Sequence, residues 1–226
     1  MGDDGDNYDY TLFAPVAAAL AENLPEQIES ATCIYPDNAW NLYKEDKLLN
    51  NVKYLLADTC FFQTLGIPML KGNVKDMAVP GSGYVSERFA RKCFGDEDPI
   101  GKTLTLDKQI EVTIRGVYKE IPKKSLSFYC DLVISIHNKD GYIAGYGWKG
   151  NDVFLSLLRL RNASDIEVVN KRIQSVIEKY TSTGFYNFIC EYSAIPLVTT
   201  IWKVWIQSNV LLYTASWGLL FSLLLS

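Results

Sequence analysis

Histidine is all but missing: His137 is the single one in 226 residues. A chain with one imidazole has little material for Ser–His or Cys–His nucleophilic chemistry, and no local signature surrounds His137. It falls at the end of an apolar run beside a glycine-rich stretch, where a solvated loop histidine is the simpler reading. Paired cysteines are missing too. The five (Cys33, Cys60, Cys93, Cys130 and Cys190) are odd in number and widely spaced, with no Cys-x-x-Cys and no histidine at metal-ligand spacing. They read as scattered small hydrophobes, and neither metal nor cofactor is expected.

Positive charge is not concentrated anywhere. Basic and acidic residues number 22 and 26, a net charge of -4, and no basic run offers the surface that nucleic acid needs. Met1–Tyr10 is acidic and lacks the charged-then-apolar order of a signal peptide. After Lys203 charge disappears altogether, leaving 23 uncharged residues from Val204 to Ser226. A membrane-spanning helix takes about 20 mostly apolar residues. The expectation is therefore a partial transmembrane helix over 204–226, a buried core helix being the alternative. Gln207, Ser208 and Asn209 belong at its interfacial end.

What is present is a well-patterned folded body, since 48% hydrophobic and 21% charged residues exclude wholesale disorder. Pro15–Asn23 signals a helix that Pro25 stops. Ile28–Tyr35 and Val52–Asp58 lean toward strand, with Asn41–Leu48 between them as a hairpin partner. Thr59–Gly66 reads as a short helix or turn closed by glycine. Ser86–Gly95 is an amphipathic helix capped by Ser86 and stopped by Gly95. Strands follow at Thr103–Asp107, Gln109–Tyr118, Leu132–Ile136 and Val153–Arg161. In Gln109–Tyr118 the residues Ile110, Val112 and Ile114 alternate with Glu111, Thr113 and Arg115. Asn138–Asp152 carries four glycines and reads as a long mobile loop. The strongest helix is Asp165–Tyr180, with a Ser164/Glu167 capping box and an apolar stripe from Ile166 to Tyr180. Asn187–Tyr192 reads as a strand. This mixed order predicts an α+β fold.

One stretch imitates a nucleotide site. A phosphate-cradling loop places four residues between its first glycine and Gly-Lys-Thr, but five separate Gly95 from Gly101. A helix precedes it where a strand belongs, a strand follows where a helix belongs, and Asp96, Glu97 and Asp98 would repel phosphate. The acidic runs Asp3–Asp6 and Asp96–Asp98 lack calcium-loop spacing. Asn162-Ala-Ser164 matches a glycosylation acceptor, but Ser164 is better used as a helix cap. No catalytic residue is nominated.

The order of segments resembles the MacB-like periplasmic core domain of FtsX-type ABC transporter permeases, in the form common in Bacteroidetes. The pieces are the helix before Leu24-Pro25, Val52–Phe62, Leu65–Gly72, Val85–Leu104 with its Phe-Gly-Asp-x-Asp-Pro-Ile-Gly-Lys core, and Gly116–Pro122 followed by Ser125 and Asp131. Trp148, Leu158-Arg-Leu160, the Ser164 helix and Ile195-Pro-Leu197 continue the order. The resemblance implies a porter-like subdomain from 1–67 and 152–200, with a smaller β-rich subdomain inserted at 68–151. Phe61, Phe62, Gly95, Pro99, Gly101, Gly116 and Asp131 are its structural motif residues. Tyr142, Tyr146 and Trp148 are candidate partner contacts.

It further implies a non-catalytic extracytoplasmic domain of an inner-membrane permease, folded in the periplasm, transmitting ATP-driven movement and contacting partner or substrate. The expected partners are a cytoplasmic ABC ATPase, a second permease subunit and the membrane. The first membrane helix, expected upstream of Asp9, and the last two are not in this sequence. The rival expectation is a stand-alone periplasmic binding module of the same fold.

Overall fold

In the computed structural model, residues 8–9, 11–36, 40–120, 130–137, 147–148, 150, 153–181, 191–196 and 210–216 are described. The chain opens with β1 (Tyr8–Asp9), α1 (Val16–Asn23) and β2 (Ile28–Tyr35). Then come β3 (Leu42–Lys44), β4 (Lys47–Leu48), β5 (Tyr54–Ala57), α2 (Phe61–Leu65) and β6 (Met69–Gly72). A 3-10 turn at Val74–Ala78 leads into β7 (Ser82–Ser86), α3 (Glu87–Phe94), β8 (Thr103–Leu106), β9 (Ile110–Tyr118) and β10 (Leu132–Ser135). The last elements are β11 (Leu155–Leu160), α4 (Asp165–Thr181), β12 (Glu191–Pro196) and β13 (Val210–Ser216). The fold is α+β.

The strands join one sheet in the order β1-β13-β11-β2-β5-β10-β7-β9-β8-β3-β4, with β12 on β13 and β6 on β9. Two pairings are parallel, β5 with β10 and β7 with β9; the other ladders are antiparallel. Central strands are apolar on both sides because both faces are covered. Along β10, Leu132 and Ile134 join one core while Val133 joins the other; on β5, Tyr54 and Leu56 oppose Leu55 and Ala57. The larger core lies under α1, α3 and α4, where Val169, Ile173, Val176 and Ile177 are buried. The smaller one is built on α2 and the 3-10 turn around Phe61, Phe62, Met77, Tyr84 and Tyr118.

Local signals account for most element ends. Ser86 Oγ accepts from Phe89 N at 3.1 Å, and Gly95 ends α3 with φ 64°. On β9, Val112 and Ile114 are fully buried and Glu111 and Arg115 are exposed, as the alternation predicts. The entry of α4 is tied by Asp165, whose carboxylate accepts from the backbone N and the Nδ2 of Asn162.

Three readings need correction or fall outside the structure. Residues 42–48 do not pair with the strands on either side in sequence. They form their own hairpin (β3–β4), and β3 docks on β8 through Leu42↔Leu106 and Tyr43↔Thr105. Val210–Ser216, expected within a membrane helix, is a strand bonded to β11, β12 and β1. A short run rich in Leu, Val, Tyr and Thr satisfies strand and helix preferences alike, and pairing partners decide. Among the described residues no helix is long and apolar enough to cross a membrane. The rest of 204–226 and most of 138–152 lie outside the described residues.

Gly116 shows how tightly the smaller core is filled. A Cβ built there would sit 2.5 Å from Tyr84 Cδ1 and 3.0 Å from Met69 Sδ. Gly116→Ala should destabilise the fold by about 1–3 kcal/mol through overpacking, read as a lowered urea midpoint with unchanged slope.

Candidate functional site

Near its middle the sheet narrows. On one side β2 pairs with β11 through six residues, and on the other β5 pairs with β10 through four. Between them β2 and β5 share only Ile34↔Ala57 and Tyr35↔Leu56. The motif residues Phe61 and Phe62 sit at this waist, in the helix that follows β5 after three residues.

Asp58 takes over where β5 ends. Its carboxylate accepts from Thr32 Oγ1 at 2.6 Å, Cys33 N at 2.8 Å and Cys60 N at 2.9 Å. One side chain thus substitutes for a ladder partner of β2 and holds the amide of Cys60, the residue just before α2. Burial pushes the Asp58 pKa up, opposed by those three hydrogen bonds and by the charge of His137. On α2 itself, Thr64 Oγ1 and Ser30 Oγ of β2 are 3.0 Å apart, and Arg159 Nη1 of β11 donates to Gln63 O at 2.7 Å.

Phe62 reaches the other way. It packs edge-on against Phe61 at 5.2 Å and lies 5.3 Å from the Tyr84 ring and 5.4 Å from that of Tyr118. The two phenols donate to Asn73 O and Cys130 O. Burial holds both well above the ordinary tyrosine pKa, so they stay neutral donors. Beside this aromatic group an open, largely apolar groove of about 510 Å³ is lined by Phe62, Gln63, Ile67, Met69, Val74 and Lys75 among others.

Asp131 anchors the far half. Its Oδ1 accepts from Arg88 Nη2 at 2.5 Å, its Oδ2 from Lys53 N at 3.2 Å, and its carbonyl from Ser86 N. Arg88 Nε also donates to Glu120 at 2.7 Å. Burial works against the guanidinium charge, but the two carboxylates outweigh it and the Arg88 pKa rises.

Gly95, Pro99 and Gly101 form the corner between α3 and β8. Pro99 is buried, Gly101 has φ 82°, and Gly101 N donates to Ile114 O at 2.8 Å. Lys102 pairs with Glu97, and Lys102 and Lys44 flank the Phe94 ring. The lysine of the nucleotide-like stretch is therefore engaged within the corner. Trp148 lies away from the waist, half-buried and stacked on Tyr180 at 4.8 Å and 2°, with Phe13 6.5 Å away. Tyr142 and Tyr146 lie outside the described residues.

Chemically, the four thiols among the described residues are quiet. Burial raises Cys33, Cys60 and Cys93, and carries Cys130 to about 12, so none is a thiolate at neutral pH. Among the described residues no three His, Cys, Asp or Glu side chains are placed to hold a metal. Asp58, Arg88 and Glu120 escaped the sequence reading. An Asp three residues before Phe61 at a strand-to-helix junction was the available signal for the first; nothing marked Arg88 and Glu120 as partners.

The MacB-like periplasmic core domain model matches residues 2–176. This chain belongs to that family. The fold is shared with a domain of a protein described as a permease from Porphyromonas gingivalis (TM-score 0.65, 22% identity, covering 92% of this chain and 79% of that one). It is also shared with the periplasmic region of MacB from Actinobacillus actinomycetemcomitans (TM-score 0.57, 15% identity, 79% and 77% covered). A third likeness is the extracellular domain of the noncanonic ABC-type transporter YknZ from Gram-positive bacteria (TM-score 0.58, 14% identity, 81% and 92% covered). No curated protein matches the sequence. The MacB-like family is one of periplasmic domains of ABC transporter permeases.

Three outcomes follow from the site. Asp131→Ala removes one of the two carboxylates on Arg88 and the acceptor of the Lys53 amide, and should cost about 1–3 kcal/mol. Lys71→Ala breaks a pair with Asp98 whose side chains are 56% and 62% exposed, and should shift stability by less than about 0.5 kcal/mol in the same urea titration. For Asp58 the folded-state pKa lies above the ordinary 3.8, so the folded protein binds the extra proton. Wild-type stability should therefore fall as pH rises from 3.8 through the raised value, and Asp58→Asn should flatten that part of the curve. A wild-type profile that instead climbs relative to Asp58→Asn would contradict this assignment.

Proposed function

We propose that the chain is the extracytoplasmic part of an ABC transporter permease subunit, which transmits movement driven by a cytoplasmic ATPase and performs no chemistry of its own. The observation that carries this reading is the family match over residues 2–176. The physical character of the waist agrees with it: ordered hydrogen bonds and tilted aromatic rings bind elements together, and burial raises the described thiols above their ordinary pKa. In this reading the domain lies in the periplasm, tethered to the inner membrane, and works beside a second permease subunit.

The lobe division is part of the proposal. One lobe takes β2 and β11 with α1 and α4, and the other takes β5, β7, β9 and β10. The partition at 67/68 expected from the sequence is then modified, because β5 and the β3–β4 hairpin go with the second lobe. Trp148 fixes the end of the glycine-rich stretch on α4 and leaves Tyr142 and Tyr146 as the proposed partner contacts.

The test uses the full-length permease expressed with the ATPase encoded beside it. Co-purification and ATP hydrolysis that respond to the permease are expected, whereas a permease that neither binds nor modulates any adjacent ATPase would overturn the reading. Tyr142→Ala combined with Tyr146→Ala should weaken partner capture or transport at least several-fold without lowering the melting temperature. Unchanged transport would remove those two residues from the contact.

A further inference from the structure

The sheet's narrow waist, the Asp58 carboxylate and the groove beside them share one location. We infer that the β2–β5 seam is a flexure line, along which the two halves of the sheet open locally, and that Asp58 is the latch that holds it closed.

The directional bonds tying β2 directly to β5 and Asp58 are few. The ladder supplies two residue pairs, and beyond it Asp58 N donates to Cys33 O at a long 3.3 Å. The Asp58 carboxylate then adds Thr32 Oγ1 at 2.6 Å and Cys33 N at 2.8 Å from β2. Helix α2 is fastened by polar contacts to β2 and β11, through Ser30–Thr64 and Arg159–Gln63. Toward the far half it offers Phe62, whose contacts with Tyr84 and Tyr118 are ring against ring. Hydrogen bonds fail abruptly when geometry changes, whereas apolar rings tolerate sliding. The arrangement is therefore stiff within each half and compliant between them.

The groove supplies the room such an opening needs. It is lined by one stretch of chain just after Asp58, from Thr59 through Phe62 and Gln63 of α2 to Met69, Val74 and Lys75. A densely packed interior resists shear, and both cores run across the seam, Ala31 and Cys33 clustering with Tyr54 and Leu56, and Ile34 with Leu55 and Ala57, so the opening is confined to the backbone around Asp58.

This inference deepens the permease reading, since a domain that transmits movement needs a defined compliant line. Its test does not depend on transport. Hydrogen exchange is measured by mass spectrometry on the wild-type chain and on Asp58→Asn. In the variant, peptides holding the amides of Cys33, Asp58 and Cys60 should exchange at least tenfold faster, while those of β7, β9 and β10 keep their rates. Equal acceleration everywhere would mean general destabilisation, and no acceleration would mean that Asp58 is not a latch; either overturns the inference. Should Asp58→Asn fail to fold, wild-type exchange in low urea decides. Seam amides that exchange with weak urea dependence, well before those of β7 and β9, support the flexure, and seam amides that exchange only with global unfolding refute it. A positive result alongside failed ATPase coupling would discard the permease reading and keep the seam.

Discussion

The whole molecule depends on burying a sheet on both faces. Every central strand must then be apolar at odd and even positions alike, and a helix or turn must be available for each side. Leu132, Val133 and Ile134 meet that demand in three consecutive residues, as do Tyr54, Leu55, Leu56 and Ala57. Covering both faces fixes register, because a slip by one residue exchanges the two cores and would push Tyr84 or Tyr118 into space shaped for Val85 or Val117. Of the carboxylates drawn inward, Asp58 is half-buried and Asp131 buried, and each is tolerated because donors surround it.

The structural residues nominated from the sequence divide the labour of shape. Phe62 fills the smaller core, Gly116 yields space for Tyr84, Asp131 gathers β5, β7 and α3, and the Gly95–Gly101 corner turns the chain from helix into strand. None of these roles requires a reacting substrate. They require position, which is what a domain proposed to convey motion would need.

Much of this was legible in the sequence, and unevenly so. Elements with their own punctuation were plain: Ser86 and Gly95 bracket α3, Pro25 stops α1, and the stripe from Val169 to Ile177 announces α4. The failures share a cause. Residues 42–48 look like a partner for their sequence neighbours, yet β3 finds β8 more than fifty positions away. Val210–Ser216 has no internal signal separating strand from helix, and its partners lie on β1, β11 and β12. Long-range pairing is not written in local pattern. The same holds for the site: Phe61 and Phe62 stood out as bulky apolar side chains, whereas the pairing of Arg88 with Asp131 spans 43 positions and left no trace in spacing.

The neighbours of β2 carry one more consequence. Its long ladder is made with β11, which begins at Leu155, and β11 in turn receives β13 from Val210–Ser216. During synthesis the first helix and strand therefore emerge far ahead of the partners that complete their half of the sheet. The far half, built mostly between residues 42 and 135, can assemble first. A nascent chain of this design holds its amino-terminal strand exposed until the last, which favours an environment where chaperones guard unfinished edges.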